Sequence, residues 1–536
     1  MSLEWQRMLL PLIPVLASLF GARGIYHIFQ LESYQFPGYF RSLKRNPVHA
    51  WLPGLAIAVG SLILYYLYGA IDASVLPDWA KTVGTIALLP IAFGLGKGLG
   101  RVFNAKKAKK QFVFTSRVKR LYAVSALVMV ALSYLLAQGP VAILPALWPL
   151  ALPLVVALNG LLAWPIEKLI SECYFRDARR KLLANPQLVR IGITGSYGKT
   201  SVKHMLGEIL SEKYPTLITP ASFNTPMGVS RAIRERLTPS HQVFVGEMGA
   251  RHMGDIREMC RLVRPTIGVL TSVGPQHLDT FKTVERVAKT KYELIEALPA
   301  DGHAYFCDDH GICRELYNRT QKPKTLISLT QGDADVWSEN VTVSAAGSAF
   351  DLCIRGKGRA RCQTKLLGEH NIINILTAAA VANDLGLTLK QIANGISRLT
   401  PIKSRLELIA TPGQFTIIND AFNSNPVGAK AALRVLEQFA KRRIIITPGM
   451  VELGEKEAEY NREFGKAIAQ SADIAIIVGK KRAQPILDGL REAGFPQEST
   501  YRVDNLEAST ALLRQIVRKD DTVLYENDLP DHYQEA

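Results

Sequence analysis

The chain has 536 residues, with 64 Lys and Arg against 47 Asp and Glu and a formal net charge of +17. This length is too great for a single hydrophobic core and suggests roughly three or four domains. Residues 1–181 hold 20 Lys and Arg against 7 Asp and Glu, whereas residues 182–536 hold 44 against 40. The basic excess therefore lies in the first third, which argues against a broad nucleic-acid-binding surface and fits basic loops beside a membrane.

Five apolar stretches occupy the first third of the chain. They cover residues 8–29, 51–68, 83–99, 121–137 and 141–162. Each approaches the ~20 residues that a helix needs to cross a ~30 Å hydrocarbon layer, so they predict a transmembrane region of about five helices. Arg23 and His27 interrupt the first stretch, which leaves a signal peptide as an alternative. We favour a span, because no small-residue cleavage site follows and four further stretches do.

Charge in the connecting loops predicts the orientation of these helices. Lys and Arg are frequent after the first, third and fifth stretches, and the third loop carries the basic run 106–110. The second loop holds Asp72, Asp78 and a single Lys81, and the fourth is uncharged. The positive-inside rule then predicts a multi-pass protein of the cell (inner) membrane with its N-terminus outside and everything after residue 165 in the cytosol. We expect the run 106–110 to face lipid headgroups.

The cysteines contain no Cys-x-x-Cys pair, and no histidines cluster beside them at zinc-binding spacing. The six are Cys173, Cys260, Cys307, Cys313, Cys353 and Cys362. We interpret them as reduced thiols of a cytosolic region, with a structural disulfide as the less favoured alternative.

After residue 187, short β-rich runs alternate with helical segments. The predicted strands include 188–194, 243–247, 267–271, 444–447 and 474–478, and the predicted helices include 202–210, 372–385 and 429–439. This alternation predicts an α/β architecture with mostly parallel sheets. A segment around Pro401 has the composition of a linker, so we predict domains over 1–181, 182–400 and 401–536.

Residues 190–201 read RIGITGSYGKTS, an apolar run followed by a glycine turn, Lys199, Thr200 and a predicted helix. Glycines let backbone N–H groups approach phosphates, and the start of a helix adds partial positive charge. In such a P-loop Lys199 reaches the β- and γ-phosphates of ATP and Thr200 binds Mg²⁺. Ile193 stands where the longer P-loop pattern has glycine, so a chance glycine turn before a helix is the alternative.

The segment GSYGKTS resembles the shortened P-loop of the Mur ligase family, and further motifs follow in the family's order over about residues 188–460. Within that family the chain is most similar to the D-alanyl-D-alanine-adding (MurF-type) branch. The resemblance implies a P-loop central domain and a Rossmann-like C-terminal domain. It also implies ATP and two Mg²⁺ ions, with the phosphates held by Gly195, Ser196, Tyr197, Gly198, Lys199, Thr200 and Ser201.

The resemblance implies three metal ligands beside Thr200. Glu247 lies in VGEMGA at the end of an apolar run, where a carboxylate next to a P-loop suits Mg²⁺. His277 in TSVGPQHLDTF matches a family histidine that binds a second Mg²⁺. Lys291 in AKTKYELI matches a lysine that CO₂ converts to a carbamate, and we choose it over the nearby Lys289 because the family pattern is Lys-x-Glu-Leu. Without the resemblance, these residues read as a surface Glu, a structural His and a solvated Lys.

Further matches concern the rest of the nucleotide. GEHNIINILTAAA is similar to a family segment that contacts adenine through Asn371 and Asn374, with His370 nearby, and such residues also cap helices. Arg405 in SRLELI and Asp420 in IINDAFNSNP match C-terminal-domain residues that close over the nucleotide. Arg405 would stabilise phosphate charge in the transition state. The implied catalytic residues are Lys199, His277, Lys291 and Arg405.

Candidate contacts with the substrates come from three segments. The loop SFNTPMG is similar to an acceptor loop of the family and contributes Asn224 and Thr225. Asn423 and Asn425 lie in a turn-rich stretch and are either substrate contacts or turn formers. Glu452 in GMVELGE has a structural or an acceptor-facing role.

The resemblance implies an ATP-dependent ligase that joins an acid to an amine. An acceptor carboxylate attacks the γ-phosphate of ATP to give an acyl phosphate and ADP, and an amine then attacks the acyl phosphate and releases phosphate. The expected partners are a peptidoglycan precursor, an amino acid or dipeptide such as D-Ala-D-Ala, and the lipid bilayer, with no nucleic acid. Apolar stretches stand where the family has a UDP-binding domain, and YENDLPD stands in place of Lys-Gly-Ser near the C-terminus. A lipid-linked acceptor is therefore one hypothesis.

Three other functions fit parts of the sequence. A membrane ligase similar to poly-γ-glutamate synthase would share the catalytic core. A non-catalytic nucleotide-binding scaffold would need few of the residues Lys199, Thr200, Glu247, His277 and Lys291. A transporter with an ATPase domain fits less well, because the apolar stretches hold few charges and no ABC-type signature is present.

Overall fold

The computed structural model describes residues 8–103, 111–221, 223–308, 311–344, 346–412, 415–422, 424–480 and 482–529. The chain divides into two compact units between Glu172 and Cys173. The described part of the first unit is helical, and the second combines two β-sheets with helices. Asn423 and the basic run 106–110 lie outside the described residues.

Apolar helices build the first unit. They are Leu12–Gly21, Arg23–Leu31, Phe36–Arg45, Pro47–Asp72, Asp78–Val102, Ser116–Ala137, Leu144–Leu147 and Leu152–Leu183, of which the last continues into the second unit. By length and composition, four segments of the described chain are able to cross a membrane: Pro47–Asp72, Asp78–Val102, Ser116–Ala137 and Leu144–Leu183. The bent pair Leu12–Gly21 and Arg23–Leu31 adds a fifth if it counts as one span.

The first predicted stretch folds as two helices rather than one. The two helices meet at Ala22 with a bend of 45°. Gly21 and Gly24 flank this position, and glycine both lowers helix propensity and permits a kink.

Small residues bring helices of this unit close together. A Cβ atom on Gly96 would lie 2.3 Å from the carbonyl oxygen of Ala17, and one on Gly100 would lie 2.3 Å from that of Phe20. Close backbone approach of this kind stabilises helix pairs in lipid, where hydrophobic burial supplies little driving force. Many large apolar side chains remain on the outside of the unit, among them Leu55, Ile63, Tyr66, Val83, Leu127, Leu135 and Leu162.

A nine-stranded sheet forms the first half of the second unit. Its strands are β1 Val189–Thr194, β2 Thr216–Ile218, β3 Val243–Glu247, β4 Ile267–Leu270, β5 His303–Cys307, β6 Lys324–Ile327, β7 Val336–Ser344, β8 Gly347–Ile354 and β9 Gly358–Thr364. Their order is β2-β3-β1-β4-β5-β6-β7-β8-β9, parallel as far as β7 and antiparallel from β7 to β9.

Helices accompany this sheet along the chain. They are Lys199–Leu210, Pro226–Arg236, Asp255–Val263, Leu278–Phe281, Val284–Glu296, Ile312–Arg319, Glu369–Asp384 and Leu389–Ser397. Side chains of β3 alternate between two apolar cores, since Val243 and Val245 pack in one and Phe244 in the other. Burial on both faces is what a parallel sheet between helices requires.

A six-stranded sheet forms the second half. Its strands are β10 Glu407–Ala410, β11 Thr416–Asp420, β12 Arg443–Thr447, β13 Ile474–Val478, β14 Thr500–Val503 and β15 Thr522–Glu526, in the order β10-β11-β15-β12-β13-β14. Only β10 pairs antiparallel, and the helices are Pro426–Leu436, Glu457–Ser471, Ala483–Glu492 and Leu506–Ile516. This arrangement has the parallel, helix-connected character of a Rossmann-like sheet.

The predicted α/β architecture with mostly parallel sheets is confirmed. Strands β3 and β13 have the predicted bounds, whereas the predicted helix 202–210 begins three residues earlier, at Lys199. All six cysteines lie in described parts of the chain and none forms a disulfide. The domain boundaries after residues 181 and 400 stay predictions.

Candidate functional site

The glycine turn between β1 and the helix Lys199–Leu210 is a tightly enclosed loop. Gly195 has a φ of 150° and Gly198 a φ of 80°. A Cβ atom on Gly195 would lie 2.1 Å from the hydroxyl oxygen of Thr271, and one on Gly198 would lie 2.6 Å from the side-chain oxygen of Asn374. Glycine is therefore required at both positions, by backbone conformation and by space.

The loop that follows β4 holds the turn in place. The backbone N–H of Ser196 donates to the carbonyl oxygen of Ser272 at 2.7 Å, and that of Tyr197 donates to the Ser272 hydroxyl at 3.0 Å. The Ser196 hydroxyl donates to the carbonyl oxygen of Gly274 at 3.0 Å, and the Tyr197 hydroxyl donates to that of Pro275 at 2.9 Å. Ser196 and Tyr197 thus shape the turn through their own side chains.

Lys199 folds back over this turn. Its ammonium group donates to the carbonyl oxygens of Gly195 at 2.6 Å and Ser196 at 3.0 Å. Burial lowers the pKa of Lys199 to about 8, although the carboxylate of Glu247 opposes that shift. An anion bound in the turn would stabilise the charged form of the Lys199 ammonium. The Lys199 side chain is therefore suited to contact a phosphate.

Sheet order brings a carboxylate next to the turn. Strand β3 lies beside β1, and Ile193 pairs with Glu247 at the carboxyl ends of the two strands. Glu247 is buried, and it accepts hydrogen bonds from the Lys203 ammonium at 3.0 Å and from the Asn224 amide at 3.1 Å. Burial would raise the pKa of Glu247, but the ammonium groups of Lys203 and Lys199 outweigh it and hold the pKa below its usual value.

Lys203 is a member of this site that the sequence did not reveal. Its ammonium is fully buried and also donates to the carbonyl oxygen of Ala221 at 2.5 Å. Burial lowers the pKa of Lys203, and Glu247 counteracts that shift. Lys203 lies one helical turn after Lys199, and this i,i+4 spacing on one helix face was the available signal.

His277 contacts Glu452, which belongs to the domain of the six-stranded sheet. Its Nδ1 atom is hydrogen-bonded to a carboxylate oxygen of Glu452. Burial lowers the pKa of His277 below its usual value, although Glu452 opposes the shift. His277 lies in the loop after β4, at the same edge of the sheet as the glycine turn.

The structure distinguishes the two candidate lysines of the helix Val284–Glu296. Lys291 is 1% exposed, whereas Lys289 is exposed on the opposite side of the helix. Burial lowers the pKa of Lys291 well below its usual value, and the charge of Lys199 acts in the same direction. A neutral amine at this position is therefore favoured by the surrounding protein.

Asn371 and Asn374 are buried at the start of the helix Glu369–Asp384. The Asn371 amide donates to the carbonyl oxygen of Leu367 at 2.7 Å, and Asn374 lies against Gly198. Asn371 also lines a cavity of about 310 Å³, together with Ser201, His204, Met205, Glu208, Leu366, Arg405 and the segment 398–403. Burial lowers the pKa of the adjacent His370 to about 4.

Arg405 connects the two sheets' domains through direct contacts. Its guanidinium donates to the Thr200 hydroxyl at 3.4 Å and lies 4.5 Å from the ring centroid of Phe422. Burial lowers the pKa of Arg405, and the carboxylates of Glu247 and Asp420 oppose the shift. Arg405 thus places a cation next to the glycine turn.

A half-buried and a fully buried carboxyl group lie side by side in the six-stranded sheet. Asp420 ends β11, Glu526 ends β15, and the two residues are directly paired. The backbone N–H of Leu406 donates to Asp420 at 3.2 Å, and the Ser424 hydroxyl donates to Glu526. Burial raises the pKa of Asp420 to about 6 and raises that of Glu526 well above its usual value, to which the charge of Asp420 adds.

The predicted substrate residues have different surroundings. Asn224 contacts Glu247 and is part of the site. Thr225 accepts a hydrogen bond from the backbone of the helix Pro226–Arg236 and caps it, and Asn425 does the same for the helix Pro426–Leu436. Helix capping accounts for both side chains, and Asn423 lies outside the described residues.

The unmodified side chains form no complete metal cage. Within the described ranges, no three His, Cys, Asp or Glu side chains are grouped as metal ligands. Mg²⁺ is commonly bound by one or two carboxylates together with phosphate oxygens and water, so a cage is not needed when a nucleotide is present. The buried carboxylate of Glu247 and the hydroxyl of Thr200 fit that mode of binding.

Replacement of one carboxyl group of the Asp420–Glu526 pair by an amide should stabilise the protein at alkaline pH. A carboxyl group whose pKa is raised by folding binds more protons in the native state, so its stabilising contribution is present at low pH. The pKa of such a carboxyl group in the unfolded chain is ~4. The contribution is lost as the pH rises from that value through the native pKa, which for Asp420 is about 6. Glu526→Gln retains the hydrogen bonds and removes the second charge.

We expect Glu526→Gln to raise the melting temperature of the detergent-solubilised chain at pH 8. A gain of about 1 kcal/mol corresponds to roughly 2–4 °C, and it should shrink towards zero at pH 5. Asp504→Asn, at an exposed position of the same domain, is the matched control and should change little at either pH. An equal effect of Glu526→Gln at both pH values would contradict the assignment.

Comparison with known proteins identifies the family of the second unit. The Mur ligase middle domain matches residues 193–382, and the Mur ligase, glutamate ligase domain matches residues 404–525. The UDP-N-acetylmuramoyl-tripeptide–D-alanyl-D-alanine ligase of Escherichia coli K12 is 32% identical over 293 residues, which cover 54% of this chain and 64% of that protein. The same enzyme of Mycobacterium tuberculosis (CDC 1551) is 30% identical, over 63% of this chain and 70% of that protein.

Solved structures agree with these matches. MurF from Acinetobacter baumannii has a TM-score of 0.59 at 26% identity, over 67% of this chain and 77% of that chain. The MurF ligase of Thermotoga maritima, solved with ADP, has a TM-score of 0.60 at 23% identity over 67% and 80%, a likeness of fold. The chain spans less than two thirds of the first curated relatives, 61% of the Buchnera aphidicola protein and 64% of the Escherichia coli protein. Because both Mur ligase domains match this chain in order and a relative of 30% identity is covered over 70% of its length, this protein belongs to the Mur ligase family.

Proposed function

We propose that this protein is an ATP-dependent ligase that forms an amide bond between a peptidoglycan precursor and an amine such as D-Ala-D-Ala. The observation that carries the proposal is the convergence of Lys199, Thr200, Glu247, His277 and Lys291 around one glycine turn. A nucleotide-binding scaffold would not need His277 and a buried Lys291 beside that turn. The names of the curated relatives support the amine and the peptidoglycan precursor.

In this proposal ATP binds with its phosphates in the glycine turn. The backbone of 195–198, the ammonium of Lys199 and the guanidinium of Arg405 would contact the phosphates, and Asp420 would contact the remainder of the nucleotide. The cavity beside Asn371 has a volume within the range of small-molecule sites and would take the adenosine part. The domains 182–400 and 401–536 would thus hold the nucleotide from two sides.

Thr200, Glu247, His277 and a carbamylated Lys291 would hold two Mg²⁺ ions. The bound ions would neutralise the charge that an anionic acceptor and the phosphates bring together. The acceptor carboxylate would then attack the γ-phosphorus and displace ADP, which gives an acyl phosphate, and Arg405 would stabilise the charge on the phosphoryl oxygens. The amine attacks the resulting acyl phosphate and releases phosphate. Asn224, Thr225, Asn423 and Asn425 are the proposed substrate-side residues.

The environment of Lys291 supports its carbamylation. Only a neutral amine reacts with CO₂, and burial holds the pKa of Lys291 far below its usual value. The reaction joins the Lys291 nitrogen to the carbon of CO₂ and releases one proton. The product carries a negative charge, which nearby cations stabilise.

Lys199→Ala should abolish ligation, by at least about 10²–10³-fold, because it removes a cation that stabilises phosphate charge. The detergent-solubilised chain is incubated with ATP, Mg²⁺, D-Ala-D-Ala and either a UDP-linked or a lipid-linked muramoyl tripeptide, and phosphate release and product mass are measured. Lys390→Ala, at an exposed position, should retain activity. Wild-type-like ligation by Lys199→Ala would contradict the role of Lys199, and the preferred precursor identifies the acceptor.

Equilibration of the protein with ¹³C-bicarbonate should produce a carbamate signal in the ¹³C NMR spectrum that depends on Lys291. Lys291→Ala should remove the signal, whereas Lys289→Ala should retain it, because Lys289 is exposed and lies on the opposite side of the helix from Lys291. A signal that survives in Lys291→Ala, or disappears only in Lys289→Ala, would exclude the proposed modification.

We also propose that the helical unit anchors the protein in the cell membrane, with the ligase unit in the cytosol. Four helices of sufficient length and apolarity, or five with the bent pair, support this proposal. The outward-facing large apolar side chains support it as well, because a water-exposed surface of this kind is unusual. Basic residues after the odd-numbered stretches support the orientation.

Labelling of cysteines tests the orientation. Cys173 is the exposed native cysteine, and the other five are buried. In intact cells, a membrane-impermeant maleimide should label Val75→Cys, in the loop after Pro47–Asp72, and should label Cys173 only after permeabilisation. Labelling of Cys173 in intact cells would contradict the orientation, and recovery of the chain in the soluble fraction would contradict the anchor.

A further inference from the structure

Two segments from different domains of the ligase unit meet at His277. The backbone N–H of Leu278 donates to the carbonyl oxygen of Glu452 at 2.9 Å, and that of Gly454 donates to the Asp279 carboxylate at 3.0 Å. Between these two bonds, the Glu452 carboxylate is hydrogen-bonded to Nδ1 of His277. The loop 449–455 of the six-stranded domain is thereby attached to the segment 277–279 at three points.

Both residues of this central contact have an unusual backbone conformation. His277 has a φ of 53° and Glu452 a φ of 65°, in the left-handed region that residues other than glycine rarely adopt. Strained residues persist when surrounding contacts hold them, and they concentrate at functional sites. Here the strain is present on both sides of one side-chain hydrogen bond.

The second carboxylate oxygen of Glu452 also has a cationic neighbour. The Arg251 guanidinium lies 3.7 Å from it. The side chains of His277 and Glu452 are 15% and 14% exposed, so water has little access to the bond between them. Glu452 is therefore held by charge on one side and by the imidazole on the other.

Nδ1 of His277 forms the hydrogen bond to Glu452, so Nε2 is the ring nitrogen that remains to bind a ligand. A carboxylate accepts a hydrogen bond, so Nδ1 carries the proton and the lone pair of the neutral ring lies on Nε2. Histidines that bind metals usually donate their other N–H to a carboxylate or carbonyl, which sets the tautomer and the ring orientation. Glu452 occupies that second position relative to His277.

We infer that Glu452 is a positioning residue that orients His277 for a divalent cation, so that the packing of the six-stranded domain against the loop after β4 completes the cation site. The inference rests on the proposed function, which assigns His277 to the metal. It gives Glu452 a defined role in place of a general structural one. Cation affinity then depends on a contact between domains and not only on the residues around the glycine turn.

Binding of Mn²⁺, a paramagnetic substitute for Mg²⁺, tests the inference without catalysis. The full-length protein in detergent is titrated with Mn²⁺ in the presence of a non-hydrolysable ATP analogue, and free Mn²⁺ is measured by electron paramagnetic resonance. Four variants are compared: Glu452→Ala, Glu452→Gln, His277→Ala and the double variant of Glu452→Ala with His277→Ala. Glu455→Ala, an exposed carboxylate of the same loop, is the matched control.

We expect Glu452→Ala to weaken one Mn²⁺ site about 10–100-fold, as is typical for the loss of a carboxylate behind a metal-binding histidine. Glu452→Gln should weaken it less, because the amide oxygen still accepts a hydrogen bond from Nδ1. Glu455→Ala should bind Mn²⁺ like the wild type. The double variant should be no weaker than His277→Ala alone, since a residue that acts through His277 has no effect once His277 is gone.

Two results would overturn the inference while leaving the proposed function in place: wild-type Mn²⁺ affinity in Glu452→Ala, or fully additive losses in the double variant. Melting curves without metal establish that each variant is folded, and if Glu452→Ala is not, Glu452→Asp replaces it. The aspartate is one methylene shorter and should lose most of the affinity. If the wild type binds no Mn²⁺ with the nucleotide analogue, the metal assignment of the proposed function fails together with the inference.

Discussion

The parallel pairing of β3, β1 and β4 is the constraint on which the candidate site depends. Because parallel strands end at the same edge of a sheet, the segments that follow them are neighbours whatever their separation in the chain. The pairing of Ile193 with Glu247 and of Thr194 with Leu270 sets the positions of the glycine turn, the buried carboxylate and the loop that carries His277. Apolar cores on both faces of the sheet hold that register, since a shift would expose buried side chains.

The site concentrates charge in a place where burial makes charge costly. Glu247 stays ionised because Lys203 and Lys199 are close to it, and the pKa of each lysine is lowered in turn by burial. An uncompensated buried charge would be strongly destabilising, so the opposite charges depend on each other. The site therefore holds an ionised carboxylate and two lysine side chains directly beside the glycine turn.

The six-stranded sheet contributes to the same region from the other side. Arg405 contacts Thr200, in the first turn of the helix Lys199–Leu210, and Glu452 contacts His277, in the loop after β4. The two Mur ligase domains match separate segments of this chain, residues 193–382 and 404–525. The contacts between them tie the packing of the two domains to the positions of Thr200 and His277. The apolar helical unit that precedes them in the chain exposes many large apolar side chains.

The sequence by itself determined the α/β class, the glycine turn, the apolar helices and the family, because hydrophobic period and short ordered motifs are local properties of the chain. It also singled out Glu247, His277, Lys291 and Arg405, through the family resemblance. Only the tertiary structure identified Lys203, Glu526 and the His277–Glu452 contact, whereas the Lys-x-Glu-Leu pattern had already favoured Lys291 over Lys289 and the burial of Lys291 agrees with that choice. Those assignments depend on which side chains meet across strands and between domains. The Lys203–Glu247 and His277–Glu452 contacts join residues 44 and 175 positions apart, and local patterns do not encode such contacts.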